Sequence, residues 1–163
     1  MPPVIAIVGK SESGKTTLIE RLIPELKRRG YRIGVVKHAH HGFDMDRKGK
    51  DSYRHRKAGA DTVLVASPGQ IAMIKDAPSE CLDDLIPFFN DMDLLIAEGF
   101  KKDSAPKIEI FRAERHPHPA CLEDDTLIAM ISDTPLEVAV PRFTTADIRG
   151  ITEFIVDRCL PNP

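Results

Sequence analysis

The sequence predicts an α/β fold, a mostly parallel sheet with helices on both faces and a β-hairpin insertion. Three observations predict it. Gly9-Lys10-Ser11-Glu12-Ser13-Gly14-Lys15-Thr16 spell G-x-x-x-x-G-K-T, directly after the apolar run Val4 to Val8 and directly before an amphipathic stretch. Such a loop needs a buried strand to deliver it and a helix to leave it, because its N–H groups wrap a phosphate at the helix's positive end. Four apolar residues, Leu94 to Ala97, end in Glu98, as expected where a central strand places an acid beside such a loop. Strand and helix patterns then alternate along the chain, which is how parallel strands are joined. The 163 residues are read as one P-loop nucleotide-binding domain, spanning 1–163.

The amphipathic stretch from Thr17 to Arg29 carries Leu18, Ile19, Leu22, Ile23 and Leu26 at helical spacing. Lys27, Arg28 and Arg29 complement its dipole, Gly30 fits the position after its end, and Pro24 should kink it or open its hydrogen bonding. Arg32 to Lys37 reads as the second strand. Residues 62–66 and 71–74 read as two short strands around the turn Ser67-Pro68-Gly69. Ser79 should cap a short helix with Leu82, Leu85 and Ile86 inward, ended early by Pro87. Lys107 to Arg112 alternates polar and apolar residues as a half-exposed strand would, and Leu127 to Ile131 is a buried strand ending at Ser132-Asp133. Thr144 or Thr145 should cap a last helix with Ile148, Ile151, Phe154 and Ile155 inward.

Bulk properties exclude several function classes. A net charge of -2 argues against nucleic acid as partner. No apolar run reaches the ~20 residues needed to cross a bilayer, and the chain enters its first strand without a signal segment. No membrane partner and a cytoplasmic location are therefore expected. Cys81, Cys121 and Cys159 are far apart and odd in number, which points to reduced, mostly buried thiols.

The loop residues Gly9 to Thr16, with Thr17, form the expected nucleotide-binding set. Lys15 reaches the β/γ oxygens, and the Thr16 hydroxyl sits on Mg²⁺. Glu98 is read as the second metal-site residue, holding Mg²⁺ directly or through water. Lys15 and Glu98 are the candidate catalytic residues. Lys10 stands where some dimeric P-loop ATPases carry a signature lysine, but the surrounding loop lacks their glycines, so its side chain is read as solvated. Glu12 sets a negative charge near a polyphosphate.

Between Lys37 and Lys57 lie seven of the chain's 23 Lys/Arg and four of its six histidines. This segment follows the second strand, at the sheet end where α/β folds bind ligands. A substrate or partner pocket is expected there, built from Lys37, His38, His41, Asp44, Asp46, Lys50, Asp51 and Arg54, with the cations facing an anionic substrate. A mobile charged loop and a metal site on the histidines are the alternatives. Two further function readings follow: a small-molecule kinase holding its acceptor in 38–57, for which no catalytic base is evident, and a metallochaperone using the His cluster with nucleotide as switch.

With these residues assembled, the chain resembles the MobB family of molybdopterin-guanine dinucleotide biosynthesis adapter proteins. The resemblance runs end to end. It rests on Lys37-His38 with His40-His41, on Asp44 and Asp46, and on Gly49-Lys50-Asp51-Ser52-Tyr53 with Arg56-Lys57-Ala58-Gly59-Ala60. Glu98-Gly99-Phe100-Lys101, Lys107 to Arg112 and Ile131 to Leu136 match as well. It implies a P-loop protein that binds GTP, hydrolyses it weakly and forms homodimers through an extended β element. The implied role is to assist MobA, the transferase that couples GMP to molybdopterin. Molybdopterin or its guanine dinucleotide, GTP and a MobA-type transferase are the implied partners. Gly14, Lys15, Thr16 and Thr17 become phosphate contacts, and the basic pocket takes a phosphorylated pterin or the nucleotide. Lys10 and Glu12 depart from the family's commoner small-residue loops. No N-K-x-D guanine signature is present, and Asp133 is the candidate to pair with the guanine N1 and N2 donors.

Overall fold

The computed structural model describes residues 1–39 and 42–160; of the pocket residues named above, His41 lies outside them, as does His40. The elements run β1 (Val4–Val8), α1 (Lys15–Arg28), β2 (Ile33–Lys37), α2 (Asp51–Lys57), β3 (Thr62–Ser67) and β4 (Gln70–Lys75). After these come α3 (Leu82–Leu85), a 3₁₀ turn (Ile86–Phe89), β5 (Leu94–Glu98), β6 (Lys107–Ile110), β7 (Leu127–Ile131), β8 (Arg142–Phe143) and α4 (Ile148–Cys159). They pack as two compact units, one from 1–38 with the residues after 80, the other from 39–80.

The first unit is a six-stranded sheet in the order β2-β5-β1-β6-β7-β8, with every neighbouring pair parallel. Its strands alternate between two cores, as the period-2 pleat requires. Ile5, Ile7, Leu94, Ile96, Ile108 and Ile110 pack with Leu18, Ile19, Leu22 and Leu26 of α1 and with Ile151 and Ile155 of α4. Ala6, Val8, Leu95, Ala97 and Met130 face the other way, onto Leu82, Phe100 and Phe111. In register, Glu98 lies beside Ile7 on one side and Lys37 on the other, so the acid comes level with the end of β1 and on the α1 face.

α1 runs through Pro24 and closes where Gly30 was expected, with Tyr31 N–H on the Leu26 carbonyl and Gly30 N–H on that of Lys27. Three expectations are corrected. Asp147 caps α4, accepting from Gly150 N–H at 2.9 Å, because Thr145 is bonded elsewhere. α3 starts after Cys81, not Ser79, and no side chain caps it. The third correction concerns β6, which is an interior strand flanked by β1 and β7, with Lys107 and Glu109 only 1% exposed. Its polar residues alternate because each has a buried partner. Glu109 accepts from the Ala120 and Cys121 N–H groups. Lys107 donates to the Asp103 carbonyl and the Thr126 hydroxyl and pairs with Asp124 at 3.1 Å.

Of the three free thiols, Cys121 is buried, which pushes its pKa up to about 11, and Cys81 is exposed against expectation. No helix among the described residues is long and apolar enough to cross a membrane.

In the second unit, β3 and β4 form an antiparallel hairpin, and among the described residues no other strand pairs with it. Leu64 opposite Met73 and Ala66 opposite Ile71 share one face of it, and Leu64, Ile71 and Met73 are exposed. α2 precedes the hairpin. It buries no residue, so no apolar stripe marks it in the sequence.

Candidate functional site

The loop between β1 and α1 is shaped by two glycines. Gly9 has φ +148, and a Cβ there would lie 2.5 Å from the Ile110 carbonyl oxygen and 2.6 Å from Ser13 Oγ. Gly14, at φ +97, stands at the N-cap of α1. No side chain caps this helix and no acid occupies its first turn, so its leading N–H groups have no side-chain acceptor. Ser13 Oγ is buried and has no hydrogen-bond partner among the described residues. The Lys15 ammonium donates to the carbonyls of Gly9 (3.2 Å) and Lys10 (2.8 Å) and so lies at the rim of the same loop. Helix-end donors, an orphaned hydroxyl and an ammonium fit a phosphate group.

Glu98 is 7% exposed. One of its oxygens accepts from the Thr16 hydroxyl at 2.8 Å and pairs with Lys37 Nζ at 3.2 Å. A carboxylate and a hydroxyl beside a phosphate loop are hard oxygen donors, and Mg²⁺ takes few protein ligands and keeps its waters. Thr16 and Glu98 therefore fit Mg²⁺, which would compete with the Lys37 ammonium for the same oxygen. Burial pushes the Lys15 pKa below its ordinary value; Glu98 opposes this, and Lys101 and Lys37 add to it. Several ammoniums thus face one carboxylate, a field that attracts polyanions.

The turn after Glu98 is tight. Gly99 has φ +96, and Phe100 is held at φ +54, its ring stacked on His38 with centroids 5.0 Å apart. His38 N–H donates to the Glu98 carbonyl at 3.0 Å. Lys37 and His38 thus end β2 beside the acid.

Sequence reasoning missed what holds the outside of the loop. Arg112 Nε donates to the Ser13 carbonyl at 3.0 Å, Arg115 pairs with Glu12 at 3.3 Å, and His116 Nε2 lies 2.7 Å from the Ser11 carbonyl oxygen. Glu12, at φ +60, therefore points its charge at Arg115, which answers the concern about an acid in this loop. The one available signal was the i, i+3, i+4 spacing of 112, 115 and 116, which puts three side chains on one side of a turn.

Asp133 accepts the Thr145 N–H at 2.8 Å and the Thr145 hydroxyl at 2.6 Å, and these bonds pull its pKa down. Arg21 holds the Thr145 carbonyl at 2.7 Å, so the segment before α4 is tied to the end of β7 by Asp133 and to α1 by Arg21.

In the second unit Asp46 is held by the Ser52 hydroxyl at 2.8 Å and by Arg56 at 3.9 Å. Asp51 and Arg54 form an exposed pair one turn apart, Lys50 is the N-cap of α2, and Asp44 is exposed. Tyr53, Arg56, Lys57, Ala60 and Asp76 line a cavity of about 180 Å³. No cluster of three His, Cys, Asp or Glu side chains suited to a metal occurs among the described residues.

Comparison with known proteins agrees with this arrangement. The family model for MobB, "Molybdopterin guanine dinucleotide synthesis protein B", matches residues 4–133. The molybdopterin-guanine dinucleotide biosynthesis adapter protein of Escherichia coli K12 is 40% identical, covering 96% of this chain and 93% of its own. Its counterpart in Haemophilus influenzae is 39% identical, covering 94% and 87%. Among solved structures, Bacillus subtilis MobB superposes with a TM-score of 0.78 at 28% identity over 99% of both chains. HypB from Helicobacter pylori, solved with nickel, shares the fold alone at a TM-score of 0.52 and 16% identity. On its sequence, its P-loop α/β architecture and these relatives, the chain belongs to the MobB family.

Proposed function

We propose that this chain binds GTP with Mg²⁺ at the Gly9–Thr17 loop and acts as an adapter in the attachment of GMP to molybdopterin, alongside a MobA-type transferase. The observation that carries the nucleotide reading is the Gly14-capped start of α1, with Lys15 over the loop and Thr16 on Glu98. The adapter role rests on the relatives, which bear that name. Mg²⁺, when bound, neutralises charge on the β and γ oxygens; Thr16 and Glu98 would hold it. Lys15 holds the phosphates, and the loop amides fix their orientation. Arg56, Lys57 and Tyr53 in the second unit offer charge and an aromatic face to a phosphorylated pterin. The test is guanine dinucleotide formation by a MobA-type transferase with and without this chain. A higher yield with it supports the adapter role, and an unchanged yield refutes it.

Two predictions arise here. Glu98→Gln keeps size and removes charge, so Mg²⁺-dependent GTP binding and slow turnover should both fall, while metal-free binding changes little. Unaltered Mg²⁺ dependence in calorimetry would remove Glu98 from the metal site. The pH response follows from Lys15. Its pKa lies below the ordinary 10.5, so the ammonium that phosphate needs is lost before that pH. GTP affinity should therefore decline as pH rises through the lowered value, and the decline should be smaller once Lys15 is alanine.

A homodimer is part of this reading. A two-stranded hairpin is marginal in water, and this one exposes Leu64, Ile71 and Met73 and pairs with no other strand among the described residues. Pairing with the same hairpin of a second copy covers that face and closes by two-fold symmetry. Sedimentation equilibrium at micromolar concentration should give twice the 18.1 kDa chain mass with or without nucleotide. A mass of one chain would refute it.

A further inference from the structure

We propose that Arg112 and His116 are positioning residues that aim the amides of the phosphate loop. The inference rests on the nucleotide reading above and adds what orients its donors. The two residues contact carbonyls, of Ser13 at 3.0 Å and of Ser11 at 2.7 Å, rather than any group a phosphate would touch. In a planar trans peptide the C=O and the following N–H point in opposite directions. Holding the Ser13 carbonyl toward Arg112 therefore turns the Gly14 N–H away from Arg112, and holding the Ser11 carbonyl toward His116 does the same for the Glu12 N–H.

Within itself this part of the loop has the Ser13 N–H on the Lys10 carbonyl at 3.3 Å, which leaves the Ser11 and Ser13 carbonyls to outside donors. Glu12 sits in the left-handed region at φ +60, a conformation that an acidic side chain takes at a cost of ~1 kcal/mol. Arg115 pairs with its carboxylate at 3.3 Å. Residues 11, 12 and 13 are thus each fixed by one side chain from 112, 115 and 116. Those three share a turn, closed by the Arg112 carbonyl accepting from the N–H groups of both Arg115 and His116 at 3.1 and 3.0 Å. The strut stands directly after β6, the strand next to β1, so the sheet that delivers the loop also carries its brace. The amides of Lys15, Thr16 and Thr17 are set by α1 and need no such support.

The test uses paired substitutions in the full chain. Gln at 112 places an N–H at about the position of Arg Nε without the charge; Met keeps the bulk and has no donor. Gln at 116 keeps a donor, and Leu does not. Arg112→Met and His116→Leu should each weaken GTP binding about tenfold, the worth of one amide contact, while Arg112→Gln and His116→Gln stay near wild type. In ¹H–¹⁵N spectra, the nucleotide-induced shifts of the Gly14 and Glu12 amides should shrink in Arg112→Met and His116→Leu respectively, while those of Lys15 to Thr17 persist. Equal loss in Arg112→Gln and Arg112→Met would show that the charge matters and overturn the positioning role. Wild-type affinity in Arg112→Met and His116→Leu would overturn it too. A wild-type chain that binds no GTP would overturn the nucleotide reading itself, and the strut with it.

Discussion

Lys15→Ala is expected to weaken GTP binding ten- to a hundredfold while the fold survives. The ammonium makes its bonds to the carbonyls of Gly9 and Lys10, not to the core. The residues of α1 that carry packing are Leu18, Ile19, Leu22 and Leu26, all turned to the sheet. A charged contact to phosphate is worth about 1.5–3 kcal/mol, which sets the range. Calorimetry gives the affinity, and an unchanged thermal midpoint separates lost contact from lost fold. Wild-type affinity would mean that the lysine bonds only its own loop.

The largest expected effect on stability lies at the opposite end of β6. Lys107 is 1% exposed and pairs with Asp124, whose side chain retains 29% exposure. Asp124→Asn leaves the ammonium buried with only neutral acceptors, the Asp103 carbonyl and the Thr126 hydroxyl. An uncompensated buried charge costs about 3–5 kcal/mol, and the surviving acceptors place this case near the lower bound. For a chain of this length that corresponds to a fall in Tm of about 6–12 °C. Lys107→Met should cost less, since a hydrophobic chain fills the site and Asp124 keeps water and its bond from Thr126. Thermal melts of the two variants in the reverse order would refute this account of β6.

Most of the parallel sheet was legible in the sequence because its signals are local. Val4 to Val8, Leu94 to Glu98 and Leu127 to Ile131 are continuous apolar runs, and the glycines of the loop fix its turn wherever it occurs. The meeting of Thr16 and Glu98 was legible for the same reason, each residue being marked by its own motif, and a 2.8 Å bond unites them. What sequence could not give were pairings between distant residues. Lys107 and Glu109 read as polar positions on a half-exposed strand, yet each is matched by a partner from the segment 103–126, which no period reveals. Thr145 looked like a helix cap because nothing local says that Asp133 claims it. The strut at Arg112 and His116 escaped for the same reason, lying about a hundred residues from the loop it holds.

The central claim is that the Gly9–Thr17 loop binds GTP, and titration of GTP into the full chain with Mg²⁺, followed by calorimetry, tests it most directly. Saturable binding of one GTP per chain, tightened by Mg²⁺, is the predicted result. A trace showing no heat beyond dilution, confirmed by the absence of GTP retention in equilibrium dialysis, would contradict it.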